Sequence, residues 1–259
     1  MAQSIELWLF SVDIPFIQRA VSAGIDGVVI DWETKGKKQR QAGTDTLISN
    51  HTEEDLRQVR RATNAPLICR LNGFSSETIA EAKRAIELGA DELLLPMVRA
   101  PREVEELLAI AENRVKVGIL IETNEAVCCA RELAALPLAR VFVGLNDLMV
   151  ENKKRHIFDP LFDGTIETMR AHFHTAFGFG GLTLPECGFP IPSSLLLKEM
   201  LRLQCQFTFL RRSFLKDIRE RDIAIEIPRM RQWMHQEGKR ANEAIEEDKR
   251  ILQLKINEL

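Results

Sequence analysis

Short, continuous apolar runs alternate with amphipathic segments along most of this chain, and this alternation constrains the fold more than any other feature. Runs without polar alternation are typical of strands that are buried on both faces of a parallel sheet. From the third run to the sixth they recur roughly every 25 residues, the spacing of repeated βα units. The eight predicted strands are Ile5–Phe10, Gly27–Asp31, Pro66–Leu71, Glu92–Leu95, Val115–Ile121, Arg140–Val143, Gly181–Leu184 and Phe207–Leu210.

Eight such strands with intervening helices predict an α/β protein folded as a (β/α)8 TIM barrel, because this strand number closes a barrel around a filled interior. The length of 259 residues suits one barrel. An open doubly wound sheet is the alternative, but no glycine-rich phosphate turn follows a strand. We predict a catalytic barrel over residues 1–212 and a C-terminal helical extension over 213–259, whose narrow apolar stripe favours contact with a neighbouring subunit.

Composition excludes several classes of protein. The net charge of −3 provides no basic field for nucleic acid. No apolar stretch is long enough to span a bilayer, and the N-terminal residues lack the basic and apolar regions of a signal peptide. None of the five cysteines forms a C-x-x-C pair. We therefore expect a cytoplasmic protein with free thiols that binds neither nucleic acid nor membrane.

Charged residues stand where three of the predicted strands end. Glu122 and Asp147 close the fifth and sixth strands, and Arg70 closes the third. In a barrel of parallel strands these ends form the reaction face. Two carboxylates and an arginine there predict a divalent metal such as Mg²⁺ or Mn²⁺ beside an anionic substrate. The alternative is that each carboxylate caps the helix that follows its strand.

Asp31 and Glu33 follow the second strand two residues apart, so they can face the same way. They are candidates for holding metal-bound waters or orienting a base, and a salt bridge to Arg70 or to lysines of the next loop is the alternative. A fixed Arg70 guanidinium would stabilise an oxygen that becomes negative during a reaction. Its alternative role is that of a structural partner for the same acids.

Further candidates flank the predicted site. The turn Gly144-Leu-Asn-Asp147 has backbone N–H groups that can bind a carboxylate. His51 and His156 lie in or beside two long loops, at 32–51 and 148–163, and are candidates for acid–base roles or loop histidines without one. Arg211 and Arg212 follow the last strand, where they can bind a distal carboxylate or phosphate, or pair with acids of the terminal helices.

The lysines favour metal chemistry over imine chemistry. A Schiff-base lysine has to lie on a strand near the reaction face. Lys116 is the one lysine in the predicted strands, and it stands near the start of its strand, at the opposite end.

Together these residues resemble the HpcH/HpaI family of the aldolase/citrate lyase superfamily. The motifs that carry the resemblance are Asp31-Trp-Glu33, Arg70-Leu-Asn72, Leu95-Pro-Met-Val98, Ile121-Glu122-Thr123 and Gly144-Leu-Asn-Asp147-Leu148. The resemblance implies a barrel of the phosphoenolpyruvate/pyruvate type, with its last helix swapped between subunits of a homo-oligomer, a trimer or hexamer.

The resemblance also implies a chemistry. Mg²⁺, Mn²⁺ or Co²⁺ would be held by Glu122 and Asp147, and carbon–carbon bonds would be made or broken through the enolate of pyruvate or of an acyl-CoA. Arg70 would stabilise the enolate oxygen. Backbone amides around Gly144, Asn146 and Asp147 would hold the substrate carboxylate.

Three positions depart from the family pattern: Thr34 replaces the usual histidine base, Leu120 replaces a common glutamine, and Leu145 replaces a proline. Three functions follow as alternatives. The first is a metal-dependent lyase or aldolase acting on a 2-oxo acid. The second is a citrate-lyase-type acyl-CoA lyase or thioesterase. The third is a catalytically degenerate subunit that binds ligand or serves assembly.

Overall fold

The computed structural model describes residues 4–35, 50–152 and 156–259, and the strands among them form a nearly closed barrel. All paired strands are parallel, in the order β7-β6-β5-β4-β3-β2-β1-β8. An isolated parallel bridge between Leu182 and Leu210 joins the ends of the sheet. The strands are β1 Glu6–Phe10, β2 Gly27–Asp31, β3 Leu67–Arg70, β4 Glu92–Leu95, β5 Lys116–Ile121, β6 Arg140–Val143, β7 Ala176–Phe179 and β8 Phe207–Phe209. The predicted (β/α)8 barrel is confirmed.

Helices connect the strands and surround the barrel. A short 3-10 turn at Asp159–Leu161 precedes the seventh strand. The helices are α1 Ile14–Ser22, α2 Glu53–Ala62, α3 Thr78–Glu87, α4 Pro101–Ala111, α5 Asn124–Cys128, α6 Ala130–Ala134, α7 Leu145–Asn152, α8 Thr165–His172, α9 Ser193–Arg202, α10 Arg212–Asp217, α11 Ile223–Glu237 and α12 Asn242–Asn257. No helix within the described ranges combines the length and the apolar character needed to cross a membrane.

Local sequence sets where several helices begin and end. Thr52 and Asp55 form a reciprocal capping box at the start of α2, which satisfies two backbone donors there. Pro101 opens α4, where a missing N–H costs nothing. Gly89 ends the α3 segment with φ +93°, a conformation that favours glycine. These signals mark the starts of α2 and α4 and the end of α3.

The barrel interior is apolar and rich in aromatic side chains. Phe142 and Phe209 lie 4.5 Å apart between ring centroids, in a tilted arrangement. The interior cluster is Trp8, Val29, Ile68, Leu94, Leu120, Phe142, Phe207 and Phe209. Near the amino ends of the strands, the buried Arg140 donates to Glu92 at 2.6 Å and lies 4.2 Å from the Trp8 ring. This packing fills the barrel at that end and leaves the carboxyl ends of the strands for a site.

The seventh strand lies five residues earlier than predicted, at Ala176–Phe179 instead of Gly181–Leu184. Gly178 lies inside this strand, and a glycine weakens the strand signal of a short segment. In the structure it is required, because a Cβ at this position would lie 2.3 Å from the Phe207 carbonyl oxygen. The 181–184 segment is buried beyond the strand end, which explains its apolar composition.

The terminal helices pack on their own barrel. In α11, Arg231 donates to the carbonyl oxygens of Ile5 and Gly24, both at 2.7 Å, and this helix lies against α1. Helix α12 lies against α9, where Leu252 and Ile256 are buried. Exchange of the last helix between subunits, and a trimer or hexamer, stay predictions.

Candidate active site

A cavity of about 440 Å³ opens at the carboxyl ends of the strands. Its base is apolar, formed by the side chains of Phe10, Leu120, Phe142 and Phe209, and its walls carry charged groups. Among its lining residues are Arg70, Glu122, Gly144, Asn146, Asp147, Arg211 and Arg212. The barrel therefore brings together most of the residues that the sequence nominated. Their roles stay predictions.

Glu122 directly follows β5, and it is buried. Thr123, the next residue, caps α5 by accepting from the Ala126 N–H at 3.1 Å, so Glu122 is not the cap that the alternative interpretation required. One Glu122 oxygen accepts from the Met97 backbone N–H at 3.1 Å. Burial, and then the negative charge of Asp147, raise the pKa of Glu122 to about 8.

The close approach of the residues that follow β5 and β6 depends on a glycine. Gly144 follows β6, and a Cβ there would lie 2.5 Å from both Cγ and Oε1 of Glu122. Helix α7 begins at Leu145, directly after Gly144, so Asp147 lies in the first helical turn and faces the same cavity. The absence of a side chain at Gly144 thus lets the two carboxyl groups share one space.

Arg70 is held rigidly by two buried acids. Its Nε donates to Asp31 Oδ1 at 2.8 Å and its Nη2 donates to Oδ2 at 2.7 Å, a bidentate pair. Its Nη1 lies 3.3 Å from Glu33 Oε2. The guanidinium also stands 5.2 Å from the Phe10 ring centroid. The salt bridge expected as the alternative for Asp31 and Glu33 is present, and it also fixes the guanidinium at the cavity wall.

The two candidate histidines differ in position. His51 Nδ1 accepts from the Asp31 backbone N–H at 3.0 Å, which requires an unprotonated Nδ1 and places the ring beside the end of β2. The backbone N–H of His156 donates to Asp159 Oδ2 at 3.3 Å, and neither histidine is among the cavity-lining residues. Most of the first predicted loop, 36–49, and 153–155 of the second lie outside the described residues.

Thr34 stands at the position where the family resemblance implies a histidine base. The backbone N–H groups of Thr34 and Lys35 both donate to Asn72 Oδ1 at 3.0 Å. Asn72 in turn donates through Nδ2 to Glu81 at 2.6 Å. Thr34 is exposed, so its side chain does not replace a buried base.

Two features of the site were not predicted from the sequence. The first is the apolar base of the cavity, because a pattern of buried strands does not show which aromatic residues point inward. The second is the side chain of Asn146, whose buried Nδ2 has no hydrogen-bond partner among the described residues. A buried amide donor without a partner costs free energy unless a ligand accepts from it.

Arg211 and Arg212 line the same cavity from the end of β8. Arg211 Nε donates to the Gly181 carbonyl oxygen at 2.7 Å. Within the described ranges, neither guanidinium has a carboxylate at ion-pair distance, so the expected alternative of pairing with acids of the terminal helices is not observed. Burial lowers the pKa of each guanidinium.

The donor set fits a divalent cation that takes further ligands from water and substrate. The described residues contain no group of three or more His, Cys, Asp or Glu side chains arranged for a metal. Glu122 and Asp147 supply hard oxygen donors, which suit Mg²⁺ bound through one or two carboxylates. Burial is the largest cause of the raised pKa of Glu122 and the negative charge of Asp147 is the next, and a cation held by these two carboxylates would favour the charged form of Glu122.

A nearly closed (β/α)8 barrel with paired acids and a clamped arginine at its carboxyl face defines the class of this protein. Its sequence matches the HpcH/HpaI aldolase/citrate lyase family over residues 4–159. The chain belongs to that family. A search of curated proteins gave no significant match.

Solved structures agree on the fold. An HpcH/HpaI aldolase/citrate lyase family protein from Burkholderia cenocepacia J2315 is 14% identical with a TM-score of 0.61, over 90% of this chain and 94% of that chain. The citrate lyase beta subunit from M. tuberculosis, complexed with oxaloacetate and magnesium, is 16% identical with a TM-score of 0.54, over 92% and 98%. The 3-hexulose-6-phosphate synthase from Salmonella typhimurium is 15% identical with a TM-score of 0.62, over 90% and 100%. At these identities the likeness concerns the barrel alone.

Proposed function

We propose that this protein is a divalent-metal-dependent carbon–carbon lyase that acts on a 2-oxo acid through a pyruvate-like enolate. The observation that carries the proposal is the convergence of Arg70, Glu122 and Asp147, from three different strand ends, on one cavity with an apolar base. Hard oxygen donors beside a fixed guanidinium suit a reaction in which charge develops on a substrate oxygen. The complex of the citrate lyase beta subunit with oxaloacetate and magnesium supports the choice of an oxo acid and of Mg²⁺.

Each residue of the site has a distinct part in this proposal. Glu122 and Asp147 hold the cation, which when bound supplies a Lewis acid for the oxygens of the 2-oxo acid. Arg70, clamped by Asp31 and Glu33, presents its guanidinium to the oxygen that gains negative charge. The buried Asn146 amide, with backbone N–H groups of the same turn, donates to the substrate carboxylate.

The proton acceptor is the part in which this chain departs from its family. Neither candidate histidine lines the cavity, and His51 is the better of the two because its ring is hydrogen-bonded to the backbone of Asp31, the residue that binds Arg70. Glu33 is the alternative, since it lies beside Arg70 and is buried. His51→Gln and Glu33→Gln separate them: the variant that loses proton exchange while it retains ligand binding lacks the acceptor.

The test is exchange of the pyruvate methyl protons in D₂O, followed by ¹H NMR with Mg²⁺ present. Exchange needs only enolate formation, so it does not depend on the physiological partner aldehyde. We expect exchange with wild type and with Glu125→Gln, a variant at an exposed carboxylate three residues from the proposed ligand. We expect none with Glu122→Gln or without the metal. Exchange by Glu122→Gln at the wild-type rate would contradict the proposal.

Two alternative functions predict different results in the pyruvate exchange experiment. Leu120 lies at the base of the cavity and resembles the citrate-lyase branch, which favours an acyl-CoA substrate as the second candidate. Release of CoA thiol from a thioester, without pyruvate exchange, would identify that activity. Metal binding with neither reaction would identify a ligand-binding or assembly subunit, which the exposed Thr34 keeps as an alternative.

A further inference from the structure

Phe189 is an exposed aromatic residue that lines the candidate active site. It is 90% exposed, the largest exposed fraction of any large apolar residue that the structure describes. Removing apolar surface from water is favourable, so a ring in this position gains free energy from an apolar ligand that packs on it. Whether the ring can serve a ligand depends on how the chain around it is held.

The 185–192 loop that carries Phe189 is closed by hydrogen bonds at its base. The Ser193 N–H donates to the Cys187 carbonyl oxygen at 2.8 Å. The Ser193 hydroxyl donates to the Thr183 carbonyl oxygen and accepts from the Thr183 N–H, both at 3.1 Å. These bonds join the two ends of the loop, so Phe189 projects from a fixed base.

The rest of the loop is also anchored on both sides of the ring. Gly188 has φ +110°, and a Cβ there would lie 2.9 Å from the Ile191 carbonyl oxygen. Ile191 is completely buried, and Glu186 at the start of the loop accepts from Arg229 at 2.8 Å. A loop that is already ordered costs a ligand little entropy when the ligand packs on Phe189.

The cavity has more room than the proposed reaction centre needs. Its volume of about 440 Å³ lies in the range that encloses drug-sized molecules, whereas pyruvate is a three-carbon acid. Beyond the charged groups the lining is mainly apolar, and Phe10 and Ile157 are only half-buried there. The arginines of the wall are compatible with an aromatic ligand, because guanidinium planes stack on aromatic faces. The remaining space therefore suits a bulky apolar group.

We propose that Phe189 is a specificity-determining residue, and that the preferred ligand is a 2-oxo acid with an aryl group at its far end. This inference deepens the proposed function and rests on it for the position of the oxo-acid end. The aryl group packs against Phe189 and the apolar lining of the cavity, where ring-to-ring contact adds to the burial of apolar area.

The corresponding lyase substrate is a 4-hydroxy-2-oxo acid with the aryl group on carbon 4. In its cleavage the bond between carbons 3 and 4 breaks, and its electron pair forms the enolate. The hydroxyl proton passes to the acceptor discussed above, and carbon 4 leaves as an aryl aldehyde. Protonation of the enolate gives pyruvate, so the reaction needs no oxidant or reductant.

The experiment compares two ligands without the 4-hydroxyl group, which therefore cannot be cleaved. They are 2-oxo-4-phenylbutanoate and 2-oxopentanoate, which differ in a phenyl or a methyl group at the far end. Isothermal titration calorimetry with Mg²⁺ present measures both affinities. We expect wild type to bind the phenyl ligand at least about tenfold more tightly, because it buries more apolar area. In Phe189→Ala this preference should fall by about threefold or more, and Phe189→Tyr should keep it because the ring remains.

Ile225→Ala is the matched control, because Ile225 is 65% exposed on α11 and does not line the cavity. It should keep the wild-type preference. Since Phe189 is itself exposed, we expect its variants to fold. Equal affinities of wild type for the two ligands, no binding of the phenyl ligand, or an unchanged preference in Phe189→Ala would overturn the inference. An unchanged preference with a smaller mass by light scattering would assign the ring to a contact between subunits instead.

Pyruvate exchange by wild type separates this inference from the proposed function. Exchange without a preference for the phenyl ligand would remove the inference and leave the lyase. A preference that depends on Phe189, without exchange, would leave the apolar subsite and remove the lyase.

Discussion

Arg70 and Asp31 are Cα partners in the β2–β3 register, and their side chains form a bidentate ion pair at 2.8 and 2.7 Å. The pair is buried, with 11% of the Arg70 side chain exposed and none of Asp31. Breaking a buried pair by removing one partner leaves an uncompensated charge and typically costs about 3–5 kcal/mol. The pair therefore ties the orientation of a proposed functional residue to the stability of the barrel.

Asp31→Asn tests this dependence. The substitution keeps the size of the side chain but removes the charge and one acceptor, so we expect the free energy of unfolding to fall by about 3 kcal/mol. We also expect slower pyruvate exchange, because Arg70 loses its fixed orientation. Urea denaturation and ¹H NMR measure the two effects. Glu106→Gln, in an exposed pair on α4, should change stability by under about 1 kcal/mol. Equal, small losses in both variants would show that the pair is not structurally important.

Gly144 and Gly73 provide a second matched comparison, since both follow strands at the carboxyl face. A Cβ at Gly144 would lie 2.5 Å from Glu122, whereas at Gly73 the nearest atom would be Met97 Cβ at 3.6 Å, an ordinary contact. We expect Gly144→Ala to displace Glu122, lower the free energy of unfolding by about 1–3 kcal/mol and weaken Mn²⁺ binding. Gly73→Ala should bind Mn²⁺ as wild type does. Calorimetric titration with Mn²⁺ checks both variants. Normal binding by Gly144→Ala would contradict the inference that Gly144 lets Glu122 and Asp147 occupy the same space.

Metal binding should also appear as thermal stabilisation that depends on Glu122. A ligand that binds only the folded state at one hundred times its Kd stabilises by about 2.7 kcal/mol. We expect Mn²⁺ to raise the unfolding midpoint of wild type, and oxalate, which mimics the planar enolate, to raise it further. Glu122→Gln and Asp147→Asn should lose both increments, and EDTA should abolish them in wild type. Glu125→Gln should keep both increments. Full increments in Glu122→Gln and Asp147→Asn would show that the metal binds elsewhere.

The fold was largely predictable because seven of the eight strands lie where their mainly apolar runs predict them. The exception, β7, shows the limit of that signal. Gly178 lowers the strand propensity of Ala176–Phe179, but its backbone lies against the Phe207 carbonyl, a contact between segments distant in sequence. Propensity describes a residue's local preference, and tertiary contacts override it.

The site was predictable as a set of residues but not as an arrangement. Charged residues at strand ends are visible in the sequence, and parallel strands carry their ends to one face. Whether Asp31 binds water, metal or Arg70 depends on strand register, which the apolar pattern does not specify between two fully buried strands. In the same way, whether Arg212 pairs with an acid of the terminal helices depends on where α11 and α12 pack, and charge counts along the chain do not give that.

The last helix allows a prediction about assembly, because Leu252 and Leu254 lie on opposite sides of α12. Leu252 is 1% exposed and Leu254 is 48% exposed. We expect Leu252→Ala to lower the free energy of unfolding by about 2–5 kcal/mol, as a truncated core leucine does, and Leu254→Ala to change it little. Because α12 packs on α9 of its own chain, the Leu252→Ala loss should be independent of protein concentration in urea denaturation. A loss that shrinks as concentration rises, with a matching change in mass by light scattering, would show instead that α12 is exchanged between subunits.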